Sequence, residues 1–385
     1  MVERHVKVVG LGAVSCLGND WPSTWTGLLK GQTKASSARE YFPDFDLSTR
    51  VAAVPGLDRQ LERDALGAAG RLGQMAMLEA TGGHEHGFHI YGGTNHSESD
   101  ILIELQAGVR AGRHRAMAGP LWDALHRDPT PNLISGPGLP RTWVQSACAS
   151  GQNSLVFAAA DLEEAAKQLR AAVVAMDALS RIGVIGFVRA GAVSQTECKP
   201  FHRDRDGLLI GEGAACLMLD NDASPKDSRV SLLACAMTCD AGHPTHPDES
   251  GIHLERCIRS AISKAGLRPD EVGAAVLHGT GTQANDGVEA AVVERIWPGS
   301  SIPCTSVKAR LGHTMGAAGL FNCLVAVEAL RSGLLPSTLN DRNAATLELD
   351  LVLAVPRAID RSKAVLATCS GFGGNNVAAL FGYRG

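Results

Sequence analysis

Short apolar runs alternate with amphipathic stretches along the whole chain. Val6–Leu11 reads as a buried strand that runs into the turn Gly10-Leu-Gly12. Trp21–Leu29 and Leu66–Ala80 place apolar residues at helical spacing. Phe88–Gly92 predicts a short strand ending in Gly92-Gly93-Thr94, and Thr142–Gln145 predicts another. Ser150–Leu169 carries a helical stripe through Leu155, Ala158, Ala159 and Leu162, and Ala172–Met176 returns to a buried strand. The second half continues with strand Val230–Met237, helix Gly251–Ala265, strand Val272–Leu277, helices Gly287–Trp297 and Gly316–Leu330, and strands Ala364–Thr368 and Val377–Phe381. Leu121 to Pro140, rich in Pro and Gly, predicts an irregular covering segment. Such alternation predicts an α/β protein with buried sheets.

A boundary between halves is expected at Asn221–Ser228, around Pro225, dividing the chain into 1–224 and 225–385. The halves echo each other weakly. Gly211-Glu-Gly213 leads into the apolar run Ala214–Leu219, as Gly371-Phe-Gly-Gly374 leads into Val377–Phe381. Cys148-Ala-Ser-Gly151 opens one helix and His313-Thr-Met-Gly316 another. Glycine before strands and helices is common, so chance similarity stays open beside duplication.

Composition narrows the class. Of 385 residues, 45% are hydrophobic and 20% charged, enough to bury a large core. The net charge of −4, without a Lys/Arg-rich block, argues against nucleic acid as a partner. The ten cysteines form no Cys-x-x-Cys pair, so a disulfide framework is not expected. Met1 to Gly10 reads as a strand, not a targeting segment, and the apolar stretch Ala171–Phe187 is broken by Asp177, Ser180 and Arg181. A cytoplasmic, reduced enzyme without a membrane span is the expectation.

Four segments could carry chemistry. In Val144-Gln-Ser-Ala-Cys148-Ala-Ser-Gly151, a strand turns through small residues into a helix whose N-terminus would favour a thiolate at Cys148. The alternative is a buried structural cysteine. His278, in Leu277-His278-Gly-Thr280-Gly-Thr282, should emerge at a strand's C-terminal end, where ligand groups gather in α/β sheets; otherwise it is a turn histidine. Lys308 and His313 flank a turn into an apolar helix, although a lysine is more often solvated surface. Cys369-Ser-Gly371-Phe372-Gly373-Gly374 is a glycine-rich turn able to aim backbone N–H groups at an oxyanion. His243-Pro-Thr-His246, near Asp248 and Glu249, lacks a third metal-ligand motif and is expected to be a loop.

Taken in this order, the segments resemble the β-ketoacyl-acyl-carrier-protein synthases, the elongating Cys-His-His branch of the thiolase superfamily. Val8-Val-Gly-Leu-Gly-Ala-Val-Ser and Lys199-Pro-Phe-His-Arg-Asp204-Arg205-Asp206-Gly-Leu-Leu-Ile-Gly211-Glu-Gly213 extend the resemblance over nearly the whole chain. It implies a thiolase-like five-layer α-β-α-β-α fold of two similar halves, and a dimer in which a strand near Ala172–Met176 pairs across the two-fold. It implies Cys148 as acyl-accepting nucleophile and His278 and His313 as the histidines that bind malonyl thioester and stabilise its enolate. Lys308 would hold His313 by hydrogen bonding, with Glu289 in the same network. The N–H groups of Cys148 and Phe372 would form the oxyanion hole, and Thr280 and Thr282 would bond the phosphopantetheine arm. Asp240 would lie in a mobile loop that meets the glycine-rich loop at Phe372 and Gly373 during gating, and Phe187 would line the acyl pocket. The partners implied are acyl carrier protein and a second subunit, identical or related. No metal or redox cofactor is implied.

Three features depart from that pattern: Ser370 replaces a usual Phe, Pro129 to Arg141 is compact and rich in Pro and Gly, and aromatic residues are only 4% of the chain. They suggest a specialised synthase of a polyketide or polyene pathway. Two rivals remain. Cys369 falls where a thiolase carries its acid/base cysteine, although Lys308 and His313 favour the synthase branch. Inactive chain-length partners share the fold but usually lack the nucleophile that Cys148 would supply.

Overall fold

The computed structural model describes residues 6–44, 48–57, 67–84, 87–96, 141–223, 230–299 and 302–384. The segments predicted at Leu121 to Pro140 and from Pro129 up to Arg141 lie outside the described residues, as do 224–229 around the expected boundary.

Ten strands build the main sheet. The first half supplies β1 (Val6–Val14), β2 (His89–Gly93), β3 (Arg141–Val144), β4 (Arg170–Asp177) and β5 (Gly213–Asp220). The second supplies β6 (Val230–Cys239), β7 (Val272–Val276), β8 (Cys304–Thr305), β9 (Ala364–Gly371) and β10 (Asn375–Tyr383). Their spatial order is β3-β2-β4-β5-β1 and then β6-β10-β9-β7-β8. Numbered within its own half and read from its outer edge inward, each set therefore runs third, second, fourth, fifth, first. The directions agree too: β2 is parallel to β3 and β4, β7 is parallel to β8 and β9, and the remaining pairs within each half are antiparallel. The weak echo in the sequence is thus a duplicated topology. Among the described residues, the two five-stranded sheets touch edge to edge through Val6 opposite Leu232 and Lys7 opposite Ser231.

Among the described residues the α-helices are α1 (Trp21–Leu29), α2 (Ala68–Ala80), α3 (Ser150–Glu164), α4 (Arg181–Arg189), α5 (Ile252–Lys264), α6 (Gln283–Ile296), the short α7 (Lys308–Leu311) and α8 (Ala318–Ser332). Three apolar clusters separate the layers. One packs Leu72, Ala76 and Met77 of α2 on the outer face of the first sheet, against Ile90, Val174 and Met218. Another packs α5 and α6 on the outer face of the second sheet, with Ile258, Ile262, Val292 and Val293 against Ala275 and Leu366. The largest lies between: Leu155 and Leu162 of α3 and Leu320, Phe321 and Leu324 of α8 fill the space shared by both sheets. Burying each such side chain is worth roughly 1.5–3 kcal/mol. The result is the expected α-β-α-β-α stack, with α3 and α8 as its central layer.

Two expectations change. α3 ends at Glu164 rather than Leu169, because the Asn221 side chain ends it. That amide donates to Leu162 O (2.9 Å) and Lys167 O (3.3 Å), and its oxygen accepts Leu169 N (2.8 Å). The strand containing Ala172–Met176, expected to pair across a two-fold, lies inside the sheet with β2 on one side and β5 on the other. Both its edges are used within the chain, and the edge strand of this half is β3.

Candidate active site

Cys148 stands between β3 and α3, preceded by Ala147 at φ 51°, a left-handed conformation that a non-glycine residue holds only under local constraint. The constraint is Ser150, whose hydroxyl accepts Ser146 N–H (2.9 Å) and donates to Ala147 O (2.6 Å). Gly151 lets the start of α3 sit close to β4 and to the second half; a Cβ there would lie 2.6 Å from Ala175 Cβ and 2.8 Å from Gly316 O. Contrary to the thiolate expectation, burial pushes the Cys148 thiol up to about 12. The ammonium of Lys308 and the N–H groups of Phe372 and Cys148 itself pull it down, Asp177 pushes it up, and burial wins. Those same two N–H groups are the pair expected to form the oxyanion hole.

His278 emerges directly after β7, and each of its groups is held. Its backbone N–H donates to Glu289 Oε1 (2.7 Å) and Thr368 Oγ1 (3.1 Å). Glu289 also accepts Gly279 N–H (2.8 Å) and the Thr368 hydroxyl (2.8 Å). Lys308, buried rather than solvated, places Nζ 2.5 Å from His278 O and 3.3 Å from His278 Nδ1. The expected bond from Lys308 to His313 is therefore made to His278 instead. The lysine begins α7, and its side chain reaches the strand end rather than onward to the following turn.

His313 is anchored by its own backbone, with N–H to Leu209 O (2.6 Å) and O from Gly211 N–H (3.0 Å). Its Nδ1 accepts Met315 N–H (3.2 Å). The two rings meet edge to face with centroids 5.4 Å apart. Burial, the Lys308 charge and, for His278, the second imidazole hold His278 well below the usual imidazole value. Burial, Lys308 and His96 do the same for His313. Both rings are therefore neutral. With each Nδ1 engaged as an acceptor, the network assigns each ring proton to Nε2.

Cys148, His278 and His313 line one cavity of about 320 Å³, together with Phe187, Thr280 and Phe372. Phe187 stacks on Phe372 at 5.5 Å and faces His313 at 6.3 Å, centroid to centroid. Thr282 shares the wall, and its hydroxyl lies 2.9 Å from that of Thr280. Asp240 grips the glycine-rich turn: its N–H donates to Gly374 O (2.8 Å) and its carboxylate accepts Asn376 Nδ2 (2.6 Å). Gly373 N–H donates to Pro244 O (2.7 Å), so the segment bearing His243 and His246 is a loop against that turn, as expected. Cys369 is fully buried, its sulfur 3.3 Å from Cys148 O and 3.5 Å from His278 Nδ1, and Ser370 forms the cavity wall beside it. A thiolase-type proton transfer from Cys369 into the cavity has no support in that placement.

Three supports were not singled out from the sequence. Asp286 accepts the N–H groups of Phe201 (2.7 Å), Thr280 (2.8 Å) and Gly281 (3.0 Å), shaping the turn after His278. Arg205, quoted only as part of a signature, donates to Thr282 O (3.0 Å) and Gln283 O (2.9 Å). Asp177, at the end of β4, accepts the N–H groups of Asn95 (2.8 Å), His96 (2.8 Å) and Gly316 (2.7 Å), tying the halves together beside His313. An acid closing a buried apolar strand was the available signal for Asp177.

Comparison with known proteins shows family and fold. The family models for the beta-ketoacyl synthase N-terminal and C-terminal domains match residues 138–224 and 230–342. The chain is 30% identical to 3-oxoacyl-[acyl-carrier-protein] synthase 2 of Mycobacterium tuberculosis over 98% of its own length and 97% of that protein's. The solved ishigamide ketosynthase/chain length factor superposes with a TM-score of 0.87 at 26% identity, covering 100% of both chains. A type II PKS acyl-carrier protein in complex with its ketosynthase bound to the hexaketide gives 0.85 at 21% identity, with 99% of this chain and 100% of that one covered, a likeness of fold.

Proposed function

The chain belongs to the β-ketoacyl synthase family of acyl-transferring condensing enzymes, and on that premise we propose that its cavity performs decarboxylative condensation through Cys148. An acyl thioester transfers its acyl group to the Cys148 sulfur; the thiol proton leaves with the departing thiol. Malonyl thioester then enters. Nε2–H of His278 and of His313 donate to its thioester oxygen, CO2 departs, and the electron pair of the broken C–C bond becomes an enolate. The enolate carbon attacks the Cys148 acyl carbon. The oxyanion formed there is met by the N–H groups of Cys148 and Phe372, and collapse expels the Cys148 thiolate, which takes a proton from solvent. The product is a β-ketoacyl thioester, and the sequence of steps calls on no metal or redox group.

The observation that carries this reading is the engagement of the two rings: each Nδ1 is taken up as an acceptor, which leaves Nε2–H for the cavity that Cys148 also lines. Two neutral donors suit a developing negative charge without acting as strong acids.

The acyl groups are proposed to arrive on acyl carrier protein, with Thr280 and Thr282 along the pantetheine path and Phe187 and Phe372 at the acyl gate. A second subunit is proposed too, and pairing across a two-fold would fall to the edge strand β3 rather than β4. The test is incubation with acyl and malonyl carrier proteins, followed by mass spectrometry of Cys148 and measurement of CO2. Cys148→Ala is expected to abolish the acyl adduct. His278→Ala and His313→Ala are expected to keep the adduct and lower CO2 release by about 10²-fold or more. Condensation of acetyl thioesters alone, with malonyl unused, would overturn the reading in favour of a thiolase.

A further inference from the structure

Asn322 lies about one turn into α8, has no solvent exposure, and is the only polar side chain among the otherwise apolar buried residues of that helix. Its amide nitrogen donates to Leu277 O (3.2 Å) and to Thr368 O (2.9 Å), carbonyls on two different chain segments. β7 and β9 pair in register as far as Val276 opposite Ala367. Just beyond that rung the chain leaves the sheet and becomes His278. The Asn322 amide bridges the two segments where their ladder stops.

The orientation of this amide is determined. Turned over, it would set Oδ1 against two carbonyl oxygens. As placed, Oδ1 is buried without a hydrogen-bond partner among the described residues. A buried acceptor left unsatisfied costs free energy that an apolar side chain would avoid. The side chain that balances the account is one whose two N–H bonds are needed.

The backbone around His278 is reached from this position. Asn322 follows His313 on the same segment, and it holds the carbonyl directly before His278. It also holds Thr368, whose hydroxyl accepts His278 N–H. Lys308 and Glu289 fix the remaining backbone groups of His278. We propose that Asn322 is a positioning residue that sets the placement of His278 relative to His313 for malonyl decarboxylation. The inference rests on the condensation chemistry proposed above.

The two half-reactions separate it from general stability. Asn322→Asp sets carboxylate oxygen against both carbonyls. CO2 release from malonyl carrier protein is expected to fall by about 10²-fold, the scale of a misplacement near 1 Å, while acylation of Cys148 by acyl carrier protein stays close to wild type. Acidification should partly restore CO2 release in this variant alone, because a protonated carboxyl can donate to one carbonyl. Asn322→Ser, neutral and too short to span both acceptors, should show the same split without recovery in acid, and it carries the comparison where the Asp variant does not fold. Equal loss in both half-reactions, loss in neither, or failure of both variants to fold overturns the assignment. Wild-type CO2 release indifferent to His278→Ala overturns the condensation chemistry instead, and this assignment with it.

Discussion

At the scale of residues, Cys148 starts from a deficit that its neighbours only partly offset. Burial holds the thiol at about 12, although Lys308 and two N–H groups stabilise the anion. Cys148 therefore rests as a thiol, and in its proposed role as nucleophile it would lose its proton during attack. Its reaction with iodoacetamide should keep rising about tenfold per pH unit between about pH 7 and 9, because the thiolate fraction does. The measurement needs a Cys239→Ser background, since Cys239 is the exposed cysteine among the ten. A plateau near neutral pH would show instead that the start of α3 outweighs burial. That Cys148, His278 and His313 would share one cavity was legible from the order of their segments along the chain and its resemblance to a known family. The sign of the thiol's shift was not, since desolvation is a property of the packed cavity and no local motif carries it. The partner of Lys308 was misassigned for a similar reason. A side chain that follows a strand end by thirty positions in sequence is as free to fold back on it as to reach the turn ahead.

At the scale of elements, helix starts and strand ends do the positioning, and two glycines separate close approach from mere tolerance. Gly316 sits against Asp177: a Cβ would lie 2.7 Å from its Oδ2 and 2.8 Å from Asn95 N. Gly186, inside α4, has nothing within 4 Å. Gly316→Ala is expected to cost about 1–3 kcal/mol through overpacking. Gly186→Ala should gain about 0.5–1 kcal/mol from lower backbone entropy in the unfolded chain. Urea denaturation of both variants reads the contrast, and a neutral Gly316→Ala would show that the Asp177 contact yields. Most elements were legible to within a few residues, because apolar periodicity follows burial. The ends were less so: the side chain that stops α3 belongs to Asn221, remote in sequence and invisible to any window around the helix.

At the scale of the molecule, two sheets that share two residue pairs among the described residues would be expected to separate, yet the central helices prevent it. Residues of α3 and α8 belong to one apolar cluster with strands from both halves, including Val173, Leu217, Ala274 and Phe381. Heating should therefore give one calorimetric transition, with van't Hoff and calorimetric enthalpies equal. Two resolved transitions would mean that each half is stable without the other's central helix. The duplicated topology was only hinted at by sequence, because matching strand orders need no matching residues. It has a consequence for origins. Cys148 and His313 occupy the same station, after the third strand of each half and before a helix. Two unmodified copies of one ancestral half, facing each other, would have offered two thiols or two imidazoles and never one of each. Within a single polypeptide each station can differ, so that the proposed carrier of the acyl chain can face the proposed acceptor of charge.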